Sequence, residues 1–354
     1  MQMTMRWFGN GFDSVTLKQI RQVGYVEGII TTLYGSKPGE VWDAGKIRAV
    51  KDDVEAHGLK LSGIESVNIH DDIKTAARDR DLYIENYIET LRRLGENDIP
   101  MVCYNFMPVF DWTRTDLAKM RPDGSTVLAY DQRIIDTIKP DEMFQSMDKK
   151  SNGFVLPGWE PERMARVKEL FAVYRDIDEA KLFENLVYFL KAIMPVCDQY
   201  GINMAIHPDD PAWPVFGLPR IVTNGDKLQK ILKAVDNPHN GVTLCTGSLG
   251  SNPENDIPAI IRSLKGRIHF AHVRNIRHEA RGLFEEAAHL TRDGSLNMLA
   301  IMKALYEAGF EGPIRSDHGR AIWGETAMPG YGLYDRALGS AYLYGLWEAV
   351  SAKA

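Results

Sequence analysis

The sequence predicts an α/β fold, a (β/α)8 TIM barrel with an insertion after its fourth strand. Three observations carry this: eight short β-rich runs, helical spacing of apolar residues between them, and a length of 354 residues. Barrels of this kind extend well past ~250 residues when they hold insertions. One barrel domain over 1–354 therefore accounts for the whole chain.

In order, the runs are MRWFG (5–9), VEGIITTL (26–33), LKLSGIESV (59–67), IPMVCYNF (99–106), INMAIHP (202–208), GVTLCTG (241–247), RIHFAHVRN (267–275) and GPIRSD (312–317). Their β-branched and aromatic residues suit a pleated surface buried on both faces. Between them, VTLKQIRQVG, YIENYIETLRRLGEN, LFENLVYFLKAIMPVCDQYG, DKLQKILKAVDN, IPAIIRSLKG and LNMLAIMKALYEAGF repeat apolar residues at three- and four-residue spacing. Several stop at Gly or Asn, as helix C-termini do. Such regular alternation favours a closed barrel over an open doubly wound sheet.

The alternation breaks after the fourth strand. Residues 108–161 form the insertion, in which RPDGS predicts a hairpin turn, followed by a short helical piece and GFVLPGWEP. A smaller irregular segment, IRHEARGLFEEAAHLTRDGS, follows the seventh strand. Both leave from strand C-terminal ends, the side on which barrels build their sites. They are candidates for lids or subunit contacts, with surface decoration as the plainer alternative.

Apolar residues make up 44% of the chain and charged residues 25%, the balance of a soluble globular protein. A net charge of −6 and a pI near 5.9 provide no basic stripe, so nucleic acid is excluded as a partner and a small molecule is expected. No apolar run spans a membrane, and MQMTMRWFGN lacks the features of a signal peptide, so the cytoplasm is the expected location. A homo-oligomer, specifically a dimer, is the expected assembly. Three cysteines, Cys103, Cys197 and Cys245, are too few for a disulfide framework. Each is therefore a buried hydrophobe or a chemical group.

The ends of the last four strands carry the chemistry. INMAIHPDD ends near His207, GVTLCTGS near Cys245, HFAHVRN near His272 and GPIRSDHGR near Asp317. Strand alternation places Ile202, Met204 and Ile206 on one face and Asn203, Ala205 and His207 on the other; Val242 and Leu244 oppose Thr243 and Cys245; Ala271 and Val273 oppose Phe270 and His272. In each case the aliphatic face belongs to the helices and the candidate ligand to the interior, with Arg315 and Asp317 inside by the same register. His269 falls on the other face. Two imidazoles, a thiolate and a carboxylate make a mixed N/S/O set that suits Mn²⁺, Fe²⁺, Co²⁺ or Zn²⁺ rather than Mg²⁺ or Ca²⁺. Four protein ligands plus a substrate need more than four bonds, which favours Mn²⁺ or Fe²⁺ over a closed zinc site. A lone strand Cys or His is ordinarily a core residue. Four such residues at the same end of consecutive strands point to a metal. Cys103 and Cys197 read as core.

His318, next to Asp317 but beyond the strand, suits proton transfer, and Tyr331 in PGYG lies on a loop over the same mouth. Arg274 and Asn275 follow His272 and could hold a carboxylate. Arg320, in DHGR, is a further candidate substrate contact.

HFAHVRN, DHGR with PGYGLYDRALG behind it, GIESVNIHDDIK, the RWFG start and DWTRTDLAKMRPDGS together resemble the mannonate dehydratase family nearly from end to end. The resemblance implies a xylose-isomerase-like barrel, Mn²⁺ or a related metal, and dehydration of D-mannonate to 2-keto-3-deoxy-D-gluconate in hexuronate catabolism. Carried onto this chain, the family's ligands are His207, Cys245, His272 and Asp317, and its catalytic pair is His318 and Tyr331. Ser316 stands where the family usually has Pro, and Ile69-His70-Asp71 where it usually has Val-His-Glu; His70 is a candidate substrate contact. The rival readings are a metal-dependent sugar or sugar-acid isomerase or epimerase on the same barrel, a metal endonuclease, which the acidic balance opposes, and a non-catalytic binding protein.

Overall fold

Eight parallel strands close into a barrel in the computed structural model, which describes residues 1–140, 142–143, 150–154 and 165–352. In chain order they are Gln2–Arg6, Gly28–Thr31, Lys60–Glu65, Met101–Tyr104, Asn203–Ile206, Asn240–Cys245, Ile268–His272 and Pro313–Arg315. Closure is made by Gln2 and Met3 pairing with Pro313 and Ile314. Six of the runs contain their strands throughout and Asn240–Cys245 starts one residue before GVTLCTG, but the first strand begins three residues earlier than MRWFG and ends at Arg6. The alternation there is carried by Met3 and Met5 against Thr4 and Arg6, before the aromatic pair Trp7-Phe8.

Aliphatic residues on the outer strand faces, Met204, Ile206, Val242, Leu244, Ala271 and Val273 among them, pack with the helices in one core cluster. The six helical segments read from spacing form helices, among them Arg80–Glu96, Glu179–Tyr200 and Met298–Glu307. Their ends are chemically set. Asp178 accepts from the Lys181 amide at the start of Glu179–Tyr200, a cap worth about 1 kcal/mol, and Gly201 ends that helix at φ 66°, where a Cβ would be strained. Inside the barrel, Ile30, Met101, Cys103, Ala205 and Phe270 form a small apolar layer under the open end.

Residues after the fourth strand depart from the barrel. Asp116–Met120 and Thr126–Asp131 form an antiparallel hairpin, turned at RPDGS by the Gly124 amide donating to the Arg121 carbonyl at 3.0 Å. Gln132–Ile135 is the short helical piece, and residues 155–161 of the insertion lie outside the described residues. The segment after the seventh strand is not irregular. Ile276–Ala280 and Leu283–Glu286 form a second hairpin, and its inner strand pairs with Thr126–Asp131 to give one four-stranded sheet. The charged residues of IRHEA mask this strand in the sequence; pairing with a distant segment stabilises it. Thr126 and Ala321 exchange two backbone hydrogen bonds, which fix the sheet against the segment that carries Tyr331.

Candidate active site

Strand register assembles the site. Cys245 is paired across the sheet with His272, and His272 with Arg315, so three side chains emerge at one level of the barrel. His207 follows its strand directly, its amide bonded to the Tyr104 carbonyl at 2.7 Å. His207 Nε2 lies 3.2 Å from His272 Nδ1, and with the Cys245 sulfur these ligand atoms all fall within 4.8 Å of one another. Asp317 completes the group, with Oδ2 at 3.8 Å from the Cys245 sulfur and Oδ1 at 3.9 Å from His272 Nδ1. All four predicted ligands are therefore brought together. His269 points elsewhere, its Nε2 facing the Pro238 carbonyl at 3.0 Å.

The donor chemistry fits a divalent transition metal. His207 Nδ1 lies 2.7 Å from the Pro208 carbonyl, which only accepts, so Nδ1 carries a hydrogen and Nε2 is the atom that faces the cluster. Burial resists ionisation of Cys245, but Arg274 and His207 hold its thiol well below the ordinary range, so it is present as thiolate. Burial likewise works against charge on His207, yet the Cys245 sulfur, Glu65 and Asp317 lift its pKa to about 9. Negative charge is thus concentrated where a cation would sit. A second group, Glu65, Cys103 and His272, lies deeper, but burial pushes the Cys103 thiol up and keeps it protonated, which disfavours it as a ligand.

Asp317 takes φ 58°, a left-handed backbone that few non-glycine residues adopt. Two arginines fix it there: Arg274 Nε donates to Oδ2 at 2.8 Å and Arg315 Nη2 to Oδ1 at 2.7 Å. Burial opposes its charge, but His318, Arg315, His272 and Arg274 keep it well below the carboxylate range.

His318 and Tyr331 meet, with Nε2 2.9 Å from the phenol oxygen. His318 Nδ1 faces Glu286 at 3.4 Å. Glu286 is ionised: burial resists, but Arg274, His318 and Arg114 bring its pKa down to about 2. A carboxylate on that side favours the tautomer with hydrogen on Nδ1, leaving the Nε2 lone pair to accept from Tyr331. Burial, followed by the Asp317 charge, raises the Tyr331 pKa and keeps the phenol protonated. Both line one solvent-open cleft, with His207, Arg274, Arg315 and Asp317.

Three other candidates are placed away from the cleft wall. Asn275 spends its side chain on the Leu290 carbonyl and the Leu296 amide. His70 caps the helix Asp71–Thr75 and stacks on Tyr83 with ring centroids 3.7 Å apart. Arg320 is committed to Asp335 and Asp123. Conversely, the acidic pair behind His207 and the DWTRTD and FEE stretches hide a buried quartet in which Asp210 and Glu286 bridge Arg114 and Arg274. HPDD was the one local signal for it. Glu65, 3.4 Å from His272 Nε2 but outside hydrogen-bond geometry, was also missed.

Comparison with known proteins gives the same direction. The profile of the D-mannonate dehydratase (UxuA) family matches residues 1–354. Mannonate dehydratase of Brachyspira hyodysenteriae is 67% identical over 350 residues, covering 99% of both chains. That of Thermotoga neapolitana is 55% identical over 353 residues, 99% of this chain and 98% of the relative. The crystal structure of mannonate dehydratase from Streptococcus suis superposes with a TM-score of 0.90 at 42% identity, over 100% of this chain and 95% of that one. A xylose isomerase domain protein from Planctomyces limnophilus, 14% identical with a TM-score of 0.56 and covering 99% and 98% of the two chains, shares the fold alone. On these matches over its whole length, the chain belongs to the D-mannonate dehydratase (UxuA) family.

Proposed function

We propose that this chain is a hydro-lyase that removes water from D-mannonate to give 2-keto-3-deoxy-D-gluconate, in hexuronate catabolism. The observation that carries the reading is the 2.9 Å His318–Tyr331 contact beside the His207, Cys245, His272 and Asp317 cluster, in a chain that matches the family throughout. Those four residues would hold a divalent metal. Mn²⁺ or Fe²⁺ is favoured because four protein ligands leave a substrate needing further coordination, with Co²⁺ and Zn²⁺ also compatible with the donors. Three free, buried cysteines and the lack, among the described residues, of a helix long and apolar enough to cross a membrane support a cytoplasmic enzyme.

Loss of the C2 proton from an aldonate puts charge beside an existing carboxylate, so the step is uphill without stabilisation. A divalent metal at this position supplies Lewis-acid stabilisation of that developing charge. His318 takes the C2 proton on Nε2, its imidazole held by Glu286 on the other side. Tyr331, kept protonated by burial, gives its proton to the 3-hydroxyl. The C2–H and C3–O bonds break, a C2=C3 double bond forms and water leaves. The proton on His318 then passes to the Tyr331 oxygen, restoring both groups, and the enol shifts its hydroxyl proton to C3 to become the keto acid.

The test is incubation of Mn²⁺-loaded protein with D-mannonate, beside a metal-stripped control, with detection of the keto-deoxy acid. A product of unchanged formula would instead indicate the sugar-acid isomerase or epimerase reading.

A further inference from the structure

Arg274 is only 1% exposed, and its donors are all spent. Nε bonds Asp317 Oδ2 at 2.8 Å, Nη1 bonds both Glu286 oxygens at 2.7 Å, and Nη2 bonds Asp210 Oδ2 at 2.8 Å and Ser248 Oγ at 3.3 Å. A guanidinium has five N–H donors, and these five bonds leave none for a substrate carboxylate. Ser248 Oγ lies in turn 3.0 Å from the Cys245 sulfur, so its hydroxyl links the arginine to the thiolate.

The surrounding chain is shaped to this side chain. A Cβ on Gly247 would lie 2.3 Å from Arg274 Cζ and Nη1, so the residue between Thr246 and Ser248 makes room for the guanidinium. Arg114, from the segment after the fourth strand, closes the other side of the carboxylates by bonding Asp210 at 2.7 Å and Glu286 at 2.8 Å. Asp317 needs such support, because its φ of 58° leaves its direction to the groups that grip its two oxygens.

We infer that Arg274 is a positioning residue for the metal centre, which holds Asp317 directly and Cys245 through Ser248, and is not the anchor of the substrate carboxylate. This rests on the ligand assignment proposed above. A planar fork is required, so lysine, a point charge with three donors, does not replace it.

The test uses the full-length protein loaded with Co²⁺, whose thiolate bond gives an ultraviolet charge-transfer band. Affinity is measured by competition with a chelator, and kcat and KM for D-mannonate are measured at saturating metal. Arg274→Lys is expected to weaken Co²⁺ binding roughly 10- to 100-fold and alter the band, with KM within about twofold of the parent. Parental affinity with a KM raised more than about tenfold would overturn the inference and make Arg274 the carboxylate contact. Ser248→Ala leaves the fold's charges intact and serves if the lysine variant does not fold. It is expected to shift the band and weaken binding by roughly 3-fold or more; an unchanged band and affinity would overturn the link to Cys245. A parent protein that binds Co²⁺ without the band removes the ligand assignment itself, whereas a band without turnover of D-mannonate removes only the proposed reaction.

Discussion

The Tyr331 hydroxyl lies 2.9 Å from Nε2 of His318, so one hydrogen bond joins the two groups proposed to exchange protons with substrate. Replacing Tyr331 with Phe removes the donor while leaving the ring against Phe8, where centroids are 4.7 Å apart. The expected result is a fall in kcat of roughly 10²- to 10⁴-fold with metal content unchanged, read by turnover and elemental analysis. His318→Ala should behave alike; a His318→Ala protein at full activity removes the assignment.

Asp317→Asn tests the carboxylate as ligand. Asn tolerates the left-handed backbone that Asp317 adopts at φ 58°, and keeps nearly the same shape, so the chain is expected to fold. With the anionic oxygen gone, retained metal after gel filtration should fall at least about tenfold. A full equivalent of metal in this variant would contradict the role.

Acid stability carries a signature of Glu286. Its pKa in the folded chain is about 2, below the ordinary carboxylate value, so it contributes stability that is present above about 4.5 and lost as pH falls towards 2. The contribution is on the order of 3 kcal/mol. Glu286→Gln should be less stable at neutral pH, and its unfolding free energy should decline less steeply from pH 4.5 to 2. Denaturant melts across that range give the comparison, and parallel slopes would mean that folding does not lower the Glu286 pKa.

Gly247→Ala sets helix propensity against packing. Gly247 lies in the helix Thr246–Gly250, where alanine is intrinsically favoured by about 1 kcal/mol. The added carbon meets the Arg274 guanidinium at 2.3 Å, and overpacking in such a core costs about 1–3 kcal/mol. Packing should win, lowering the melting temperature; a rise would show that the guanidinium moves freely.

The barrel and the four side chains that meet at its mouth were legible because their signals are local. Alternation of Met204 and Ile206 with Ala205 and His207 needs only one strand to be read, and the same holds for Leu244 against Cys245. What escaped is pairing between distant segments. Nothing near Arg114 marks Glu286 as its partner 172 residues later, and the strand Ile276–Ala280 is stabilised by tertiary pairing rather than by composition. His70, Asn275 and Arg320 look chemically able in sequence, yet Nδ1 of His70 caps a helix, the Asn275 amide binds backbone, and Arg320 is paired with Asp335. Such commitments are properties of the fold, not of the residue type.

The four-stranded sheet is shared between two excursions, Asp116–Asp131 and Ile276–Glu286, and this limits how either can vary. Shortening one would strip the partner strand of its ladder and leave a bare edge ready to pair with another molecule. It would also leave a buried arginine or carboxylate without its counter-ion beside the cleft. The two loops thus form one structural unit, so a change of length in one is expected to need a matching change in the other.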